Sequence, residues 1–460
     1  MQEKVKQALI DIVGEQNFTD SLIDIVSFSS DASEEYSRPA CGIWAYSTDQ
    51  ISKILKLANR EKIPVTPRGA GTGLSGNTVP AKGGIVLDVS RMNKIVNISI
   101  EDRFAIVQPG VINDELDKAL APYGFFFPPD PASSKVCTLG GNVALNAGGI
   151  KGAKYGTTKD YVLGMQVVLP DGRIMRTGSK TMKSVSGYDI CRLIVGSEGT
   201  LGVITELTLK INPKPPEIAT ASATFNDIED AGNAVIQVMY SGVLPSVLEI
   251  VDHQMVMAFN QYSDLKLPED VEAILLVETD GYTKAETSYQ MSKIIKIFEK
   301  NNAVTIEQAE TVEEAQALWV TRKSAYGVCT LINNNLIAED LAVPMSKVPA
   351  MLKANADIAK KYNLKMPIVG HLGDGNLHPV VSFDSTNPDE VKRAEAAVKE
   401  LFETAIELGG SLTAEHGIGL SKAPFMHLEH DSVAMDVMRS LKRTFDPNNI
   451  LNPGKMALDD

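Results

Sequence analysis

Arg68-Gly-Ala-Gly-Thr-Gly-Leu-Ser-Gly76 is the stretch from which the fold of this chain can be read. It follows Ile63-Pro-Val-Thr66, a short run of strand character, and places four glycines in nine residues. Successive glycines let backbone N–H groups close on an anion without Cβ interference. Gly71-Thr-Gly-Leu-Ser-Gly76 also satisfies G-x-G-x-x-G, and Asp88 follows where a ribose-binding acid could stand. A nicotinamide site is therefore one reading. The glycine run is longer than that fingerprint needs, however, and Asn77-Thr-Val-Pro80 stands where its helix should begin.

Two further glycine blocks follow, Leu139-Gly-Gly-Asn-Val-Ala-Leu-Asn-Ala-Gly-Gly149 and Gly196-Ser-Glu-Gly-Thr-Leu-Gly-Val-Ile204. Any one alone reads as a turn between short strands. Together they suggest an extended ligand lying along the backbone, with pyrophosphate, sugar and ring each at a different block.

Around these blocks the chain alternates strand-like runs with helical patterns. Residues 1–36 form an N-terminal segment with two short helices; Val5, Leu9, Ile12 and Val13, then Leu22, Ile25 and Val26, carry the helical spacing. Residues 37–216 mix β-branched runs with helices over Thr48–Glu61 and Asn113–Leu120. Asn212-Pro-Lys-Pro-Pro-Glu217 is a proline-rich break. Beyond it, residues 217–425 alternate strands (Val271–Glu278, Lys365–Val369) with helices (Thr283–Lys300, Glu313–Ala325, Val348–Tyr362, Pro388–Leu408). Residues 426–460 hold a last helix, Ser432–Thr444, and a tail. The fold class is α+β, in more than one domain.

At 460 residues the chain is long enough for two or three domains. Its net charge of −14 argues against a nucleic-acid site, which needs a basic stripe. Cys41, Cys137, Cys191 and Cys329 are scattered, unlike the compact clusters of iron–sulfur or zinc-ribbon sites, and suit a reducing cytoplasm. The N-terminus reads as neither a signal nor a transit peptide, and no run approaches a membrane span. A soluble cytoplasmic protein is expected.

Histidine is scarce, with six in the chain. Two bracket His371-Leu-Gly-Asp-Gly-Asn-Leu-His378, and a third follows an acid in Glu415-His416-Gly-Ile-Gly. Glycines and Asp374 break any helix, so Pro367-Ile-Val-Gly and Leu377-His-Pro-Val-Val-Ser read as strands flanking a tight loop. Two imidazoles and one carboxylate form a three-donor set that leaves coordination positions open, the pattern of a catalytic metal. His416 beside them is a candidate base. His253, His427 and His430 lack such surroundings and are expected at the surface.

These motifs, in this order, resemble vanillyl-alcohol-oxidase-type and p-cresol-methylhydroxylase-type flavoproteins. More closely, the chain is similar to the branch holding D-lactate dehydrogenase, the FAD subunit of glycolate oxidase and D-2-hydroxyglutarate dehydrogenase. Pro128-Pro-Asp-Pro131 and Asn452-Pro-Gly-Lys455 add to the match, which covers nearly the whole chain. The resemblance implies a two-subdomain FAD-binding domain and a cap domain with an antiparallel sheet flanked by helices. Non-covalent FAD is expected, since Thr72 stands where a tethering histidine could sit and a thioether to Cys137 would be atypical. By the resemblance, FAD contacts fall on Pro67, Arg68, Gly69, Ala70, Gly71, Thr72, Gly73, Leu74, Ser75, Gly76 and Asn77. They continue on Pro131, Thr138, Gly141, Asn142, Asn146, Gly148, Glu198, Gly202, Val203, Ile204 and Asn452. The resemblance assigns His371, His378 and Glu415 to one divalent metal (zinc, iron(II) or manganese), His416 to the base and Arg322 to the substrate carboxylate. Asp374 and Asn376 are turn or supporting residues.

The implied activity is oxidation of a small D-2-hydroxy acid, D-lactate first, to the 2-oxo acid. Leu331-Ile-Asn-Asn-Asn-Leu-Ile-Ala-Glu-Asp-Leu-Ala-Val343 has no Lys or Arg, which disfavours 2-hydroxyglutarate. Glycolate or another 2-hydroxy acid, an oxidase using O₂, and a non-enzymatic flavin electron-transfer subunit remain alternatives. Electrons are expected to leave to a partner protein, an electron-transferring flavoprotein ahead of an iron–sulfur subunit.

Overall fold

The computed structural model describes residues 1–264 and 266–459. Contacts divide the chain into two units. One is Met1–Gly148 with Thr157–Lys214 and Glu415–Asp460; the other is Gly149–Gly156 with Pro215–Ala414.

The first unit holds a four-stranded sheet and a five-stranded sheet, besides a short pair formed by Phe125–Phe126 and Asn212–Pro213. In the first, Cys41–Trp44, Ile85–Asp88 and Val65–Arg68 run parallel, and Phe18–Thr19 pairs antiparallel at the edge. Parallel strands need a crossover, and Thr48–Glu61 supplies it. Ser47 caps this helix by accepting from the Gln50 N–H, and Lys62 ends it at φ +53°. Its Ile51, Ile54, Leu55 and Ala58 repeat at helical spacing and are fully buried against Ile43, Ile85 and Leu87. Burying each large aliphatic side chain contributes roughly 1.5–3 kcal/mol. The second sheet is antiparallel, in the order Ile95–Ser99, Phe104–Val107, Val203–Lys210, Val162–Val168, Ile174–Gly178.

The tail returns to the first sheet. Val65 N–H donates to Ile450 O (2.7 Å) and Asn452 N–H to Val65 O (2.8 Å), beside the strand that enters the first glycine block. Lys442, on the helix Ser432–Phe445, holds this return in place. Its buried Nζ donates to Thr200 O (2.9 Å), Leu451 O (2.8 Å) and Asp446 Oδ2 (2.6 Å). Burial pulls the Lys442 amine below its usual pKa, while the Asp446 charge opposes that shift.

The second unit is built on one antiparallel sheet. Its order is Thr305–Gln308, Glu217–Phe225, Ala273–Gly281, Val247–Asp252, Ile368–His371, Asn376–Phe383, Asn335–Ala338, and Leu341–Ala342 also pairs with Asn376–Phe383. Helices Ile228–Tyr240, Lys284–Lys300, Val348–Tyr362 and Pro388–Glu407 accompany it. The strand expected at Lys365–Val369 is displaced to Ile368–His371. Pro367 has no N–H to give a ladder, so regular pairing starts after it, and His371 becomes a strand residue.

Lys442→Met should lower stability by about 3–5 kcal/mol, because the Asp446 carboxylate stays buried without its counter-charge. Adding Asp446→Leu should recover part of the loss. Denaturant unfolding of the three proteins checks this; an unchanged midpoint in the single variant overturns it.

Candidate functional site

The two histidines of the second unit are placed by strand register. His371 pairs with Asn376 and Val369 with His378. Alternate strand positions share a face, so Val369, His371, Asn376 and His378 line one side of the hairpin. The imidazole centroids lie 5.0 Å apart at 81°. Both rings are buried. The turn between them is tight: Gly375 has φ +82°, and a Cβ there would stand 2.2 Å from Val343 O.

Glu249 on the neighbouring strand pairs with His371. Its side chain is fully buried and divides its oxygens between two partners. Oε1 lies 2.6 Å from His371 Nδ1, and Oε2 accepts from Arg322 Nε at 2.6 Å. Burial alone would raise this carboxyl; the charges and hydrogen bonds of His371 and Arg322 outweigh it and hold the group below the usual range. Arg322 itself sits on the helix Val312–Cys329.

Asp340 is the second buried acid. It accepts from Asn376 Nδ2 (2.7 Å), Thr413 Oγ1 (2.6 Å) and the Ala414 N–H (2.8 Å), and its Oδ1 is 3.6 Å from His378 Nδ1. Sequence reasoning missed both acids. Their signal is a charge inside an apolar run, as in Val247-Leu-Glu-Ile-Val251, since such a charge is costly to bury unless paired. Asp374 accepts from the Asn376 N–H within the turn (3.4 Å) and also meets residues 149–156. A Cβ on Gly152 would lie 2.3 Å from Asp374 Oδ2. Lys154 pairs with Asp280, and Tyr155 OH donates to Asp280 Oδ2 (2.6 Å), which anchors that short segment.

In the first unit the three glycine blocks converge. A Cβ on Gly69 would lie 2.2 Å from Thr138 Oγ1, the atom that caps Leu139–Leu145 through the Gly141 N–H. Asn146 ends that helix at φ +55°. Asn142 is buried within it. Glu198, at φ +52°, accepts from Asn77 Nδ2 (3.0 Å), Ile418 N–H (2.7 Å) and Gly419 N–H (2.9 Å). Burial raises its pKa, and the Asn77 hydrogen bond opposes that most strongly. Its carboxylate thus binds the chain's own donors. Arg68 likewise braces its loop, through Nη1 to Ser30 O (2.7 Å) and Thr78 Oγ1 (3.2 Å). Gly202 serves strand packing, since a Cβ would stand 2.3 Å from Val167 Cγ1. Val203 and Ile204 are buried sheet residues, and Pro131 accepts from the Ser134 N–H (2.8 Å).

Glu415 and His416 belong to this unit. A Cβ on Gly148 would come 2.8 Å from Glu415 Oε2, and one on Gly419 would come 1.9 Å from Ser75 O. Glu415 Oε1 and His416 Nε2 are 3.9 Å apart, with both side chains largely buried. Asn452 Nδ2 donates to Asn77 O (2.9 Å) and Glu198 O (2.7 Å). Its buried Oδ1 has no hydrogen-bond donor among the described residues. The glycine backbone offers N–H groups to an anion, whereas this acceptor suits a donor on a ligand, such as a hydroxyl or a ring N–H. His253 and His430 are half-buried, against the surface placement expected; His253 Nδ1 is 2.9 Å from Val271 O, and His427 is exposed.

The strand–loop–helix order of a nicotinamide site is absent. Residues after Gly73 form turns, and Asp88 Oδ1 accepts from the Ser90 N–H (2.7 Å). Residues 39–178 match an FAD binding domain, and residues 214–456 match the C-terminal domain of FAD linked oxidases. The chain is 44% identical over 457 residues to "Glycolate oxidase subunit GlcD" of Bacillus subtilis, covering 99% of this chain and 97% of that protein. It is 34% identical to a D-lactate dehydrogenase of Anaerostipes hadrus, covering 92% and 90% respectively. It is also 34% identical to the mitochondrial "D-lactate dehydrogenase [cytochrome]" of Arabidopsis thaliana, covering 91% and 73%. Substrate-bound p-cresol methylhydroxylase superposes with a TM-score of 0.80 at 19% identity, covering 99% of this chain and 97% of that one, and so shares the fold. The fold is that of the p-cresol-methylhydroxylase-type flavoproteins. The chain belongs to the FAD-linked oxidase family and is an FAD-dependent oxidoreductase.

Gly73→Val should give colourless protein. A side chain at this position collides inside the loop itself: the Cβ would lie 2.6 Å from Asn77 Oδ1, which accepts from the Ser75 N–H. Full flavin absorbance in the purified variant overturns this.

Proposed function

We propose that the protein oxidises a small D-2-hydroxy acid, D-lactate first, to the 2-oxo acid, using non-covalent FAD and one divalent metal. The carrying observation is the buried face of the second unit, where Glu249 braces an imidazole and a guanidinium beside a second imidazole. Relatives named glycolate oxidase subunit and D-lactate dehydrogenase support the substrate class.

His371, His378 and Glu415 supply two nitrogen donors and one oxygen donor, a set that suits zinc, iron(II) or manganese. A metal held there would supply Lewis acidity toward the substrate hydroxyl, and FAD would supply the hydride acceptor. His416 takes the hydroxyl proton. Arg322 binds the substrate carboxylate through its planar fork. The segment 331–343 has no basic residue to receive a second carboxylate, which favours monocarboxylates. Electrons then pass to a partner, an electron-transferring flavoprotein ahead of an iron–sulfur subunit. The four cysteines are free and buried, so they offer no cluster ligands of their own. Among the described residues no helix is long and apolar enough to cross a membrane. A cytoplasmic site of action fits the scattered thiols.

His371→Ala should lose metal and activity yet keep FAD. His416→Ala should keep both cofactors and slow flavin reduction by about 10²–10⁴-fold. Elemental analysis that finds no metal in active wild-type protein overturns the metal assignment.

Anaerobic flavin reduction by a panel of D- and L-2-hydroxy acids tests the substrate. Short D-monocarboxylates should reduce the flavin fastest, and air should yield no matching peroxide. Arg322→Lys should slow turnover although the charge is kept. Faster reduction by D-2-hydroxyglutarate than by D-lactate contradicts the assignment.

A further inference from the structure

We propose that Glu249 is a positioning residue that couples the metal ligand His371 to the carboxylate-binding Arg322. The inference rests on the metal reading above. Glu249 occupies an inner strand of the sheet and is 0% exposed, so water does not compete for its oxygens. Each oxygen has its own partner at 2.6 Å.

Three consequences follow from this geometry. A neutral His371 that offers Nε2 to a metal must carry its proton on Nδ1, and Glu249 is the acceptor placed to fix that tautomer. Arg322 gives Nε to the same carboxylate, which leaves its two Nη groups as the edge that can meet a substrate carboxylate. The negative charge also offsets the two cations, metal and Arg322, that would stand on either side of Glu249. Any loosening of Glu249 therefore reaches the metal and the substrate together.

Glu249→Gln keeps the volume and removes the charge. One amide oxygen cannot serve both His371 and Arg322, and the amide nitrogen only donates. Zinc affinity, read by chelator competition, should fall by about 10–100-fold. With zinc resupplied to saturation, KM for D-lactate should rise several-fold, and FAD content should match wild type. Glu278→Gln is the control. It removes a half-buried carboxylate that bonds Trp319 on the helix Val312–Cys329 and Thr220 on the adjacent strand, and zinc affinity should stay within twofold. Wild-type zinc affinity in Glu249→Gln, or equal loss in Glu278→Gln, overturns the proposal.

Should Glu249→Gln fail to fold, the metal-free wild-type protein still decides. Nitrogen-15 NMR of its six histidines, with His371 assigned through His371→Gln, should show the neutral His371 ring protonated at Nδ1. A ring protonated at Nε2 overturns the proposal. Wild-type protein that binds no zinc, iron or manganese defeats the metal reading instead, whichever nitrogen holds the proton.

Discussion

A buried carboxylate that must be satisfied organises the first unit. Glu198 is 5% exposed and draws on donors from residues 77, 418 and 419. The Ile418 bond spans 220 positions of sequence. Leaving a buried charge short of partners costs several kcal/mol. The first glycine loop, the third block and the Glu415-His-Gly-Ile-Gly segment are therefore held to one point. Asn452 adds the tail by donating to both Asn77 O and Glu198 O. The same demand explains the positive φ of Glu198, which turns its backbone sharply between Ser197 and Gly199.

The second unit repeats the principle with different chemistry. Glu249 and Asp340 each sit on or beside a strand next to the histidine hairpin, and each uses both oxygens. A sheet supplies rigidity that a loop cannot, so the two imidazoles keep a fixed separation. Charge placement divides the labour. Glu249 meets an imidazole and a guanidinium, whereas Asp340 bonds an amide, a hydroxyl and a backbone N–H and stands 3.6 Å from the His378 ring nitrogen. The first arrangement fixes an imidazole and a guanidinium to one carboxylate. The second pins the chain at Ala414, the residue preceding Glu415.

Local signals in the sequence were enough for most helices and the glycine blocks. Ser47, Thr283, Thr311 and Asp431 each cap an expected helix, and apolar spacing marks the faces, whereas Ile228–Tyr240, capped by Asp227, was not anticipated. The histidine hairpin was legible because its glycines and histidines are contiguous. Glu249 was not, because 122 positions separate it from His371 and only strand order brings them together. Nor does composition mark that residues 149–156 join the second unit, since their anchor, Asp280, is remote in sequence. The sequence likewise does not show that the Arg68 side chain bonds Ser30 O and Thr78 Oγ1, or that Glu198 accepts from Asn77 Nδ2 and two backbone N–H groups.

The glycines of the Glu415-His-Gly-Ile-Gly segment have a steric reason. Gly417 has φ +81°, and a Cβ there would lie 2.8 Å from Glu198 Oε1 and 2.9 Å from Asn77 Nδ2. Gly419 has φ +54° and lies closer still, against Ser75 O. A side chain at either position would push the segment off the first loop and break the hydrogen bonds to Glu198. Leu420 and Ser421 N–H groups also donate to Ser75 O, at 2.8 and 3.2 Å, so the contact is backbone to backbone. The two glycines thus perform no chemistry. They bring the backbone close enough for Glu198 to fix it, and that fixed backbone is what aims Glu415 and His416.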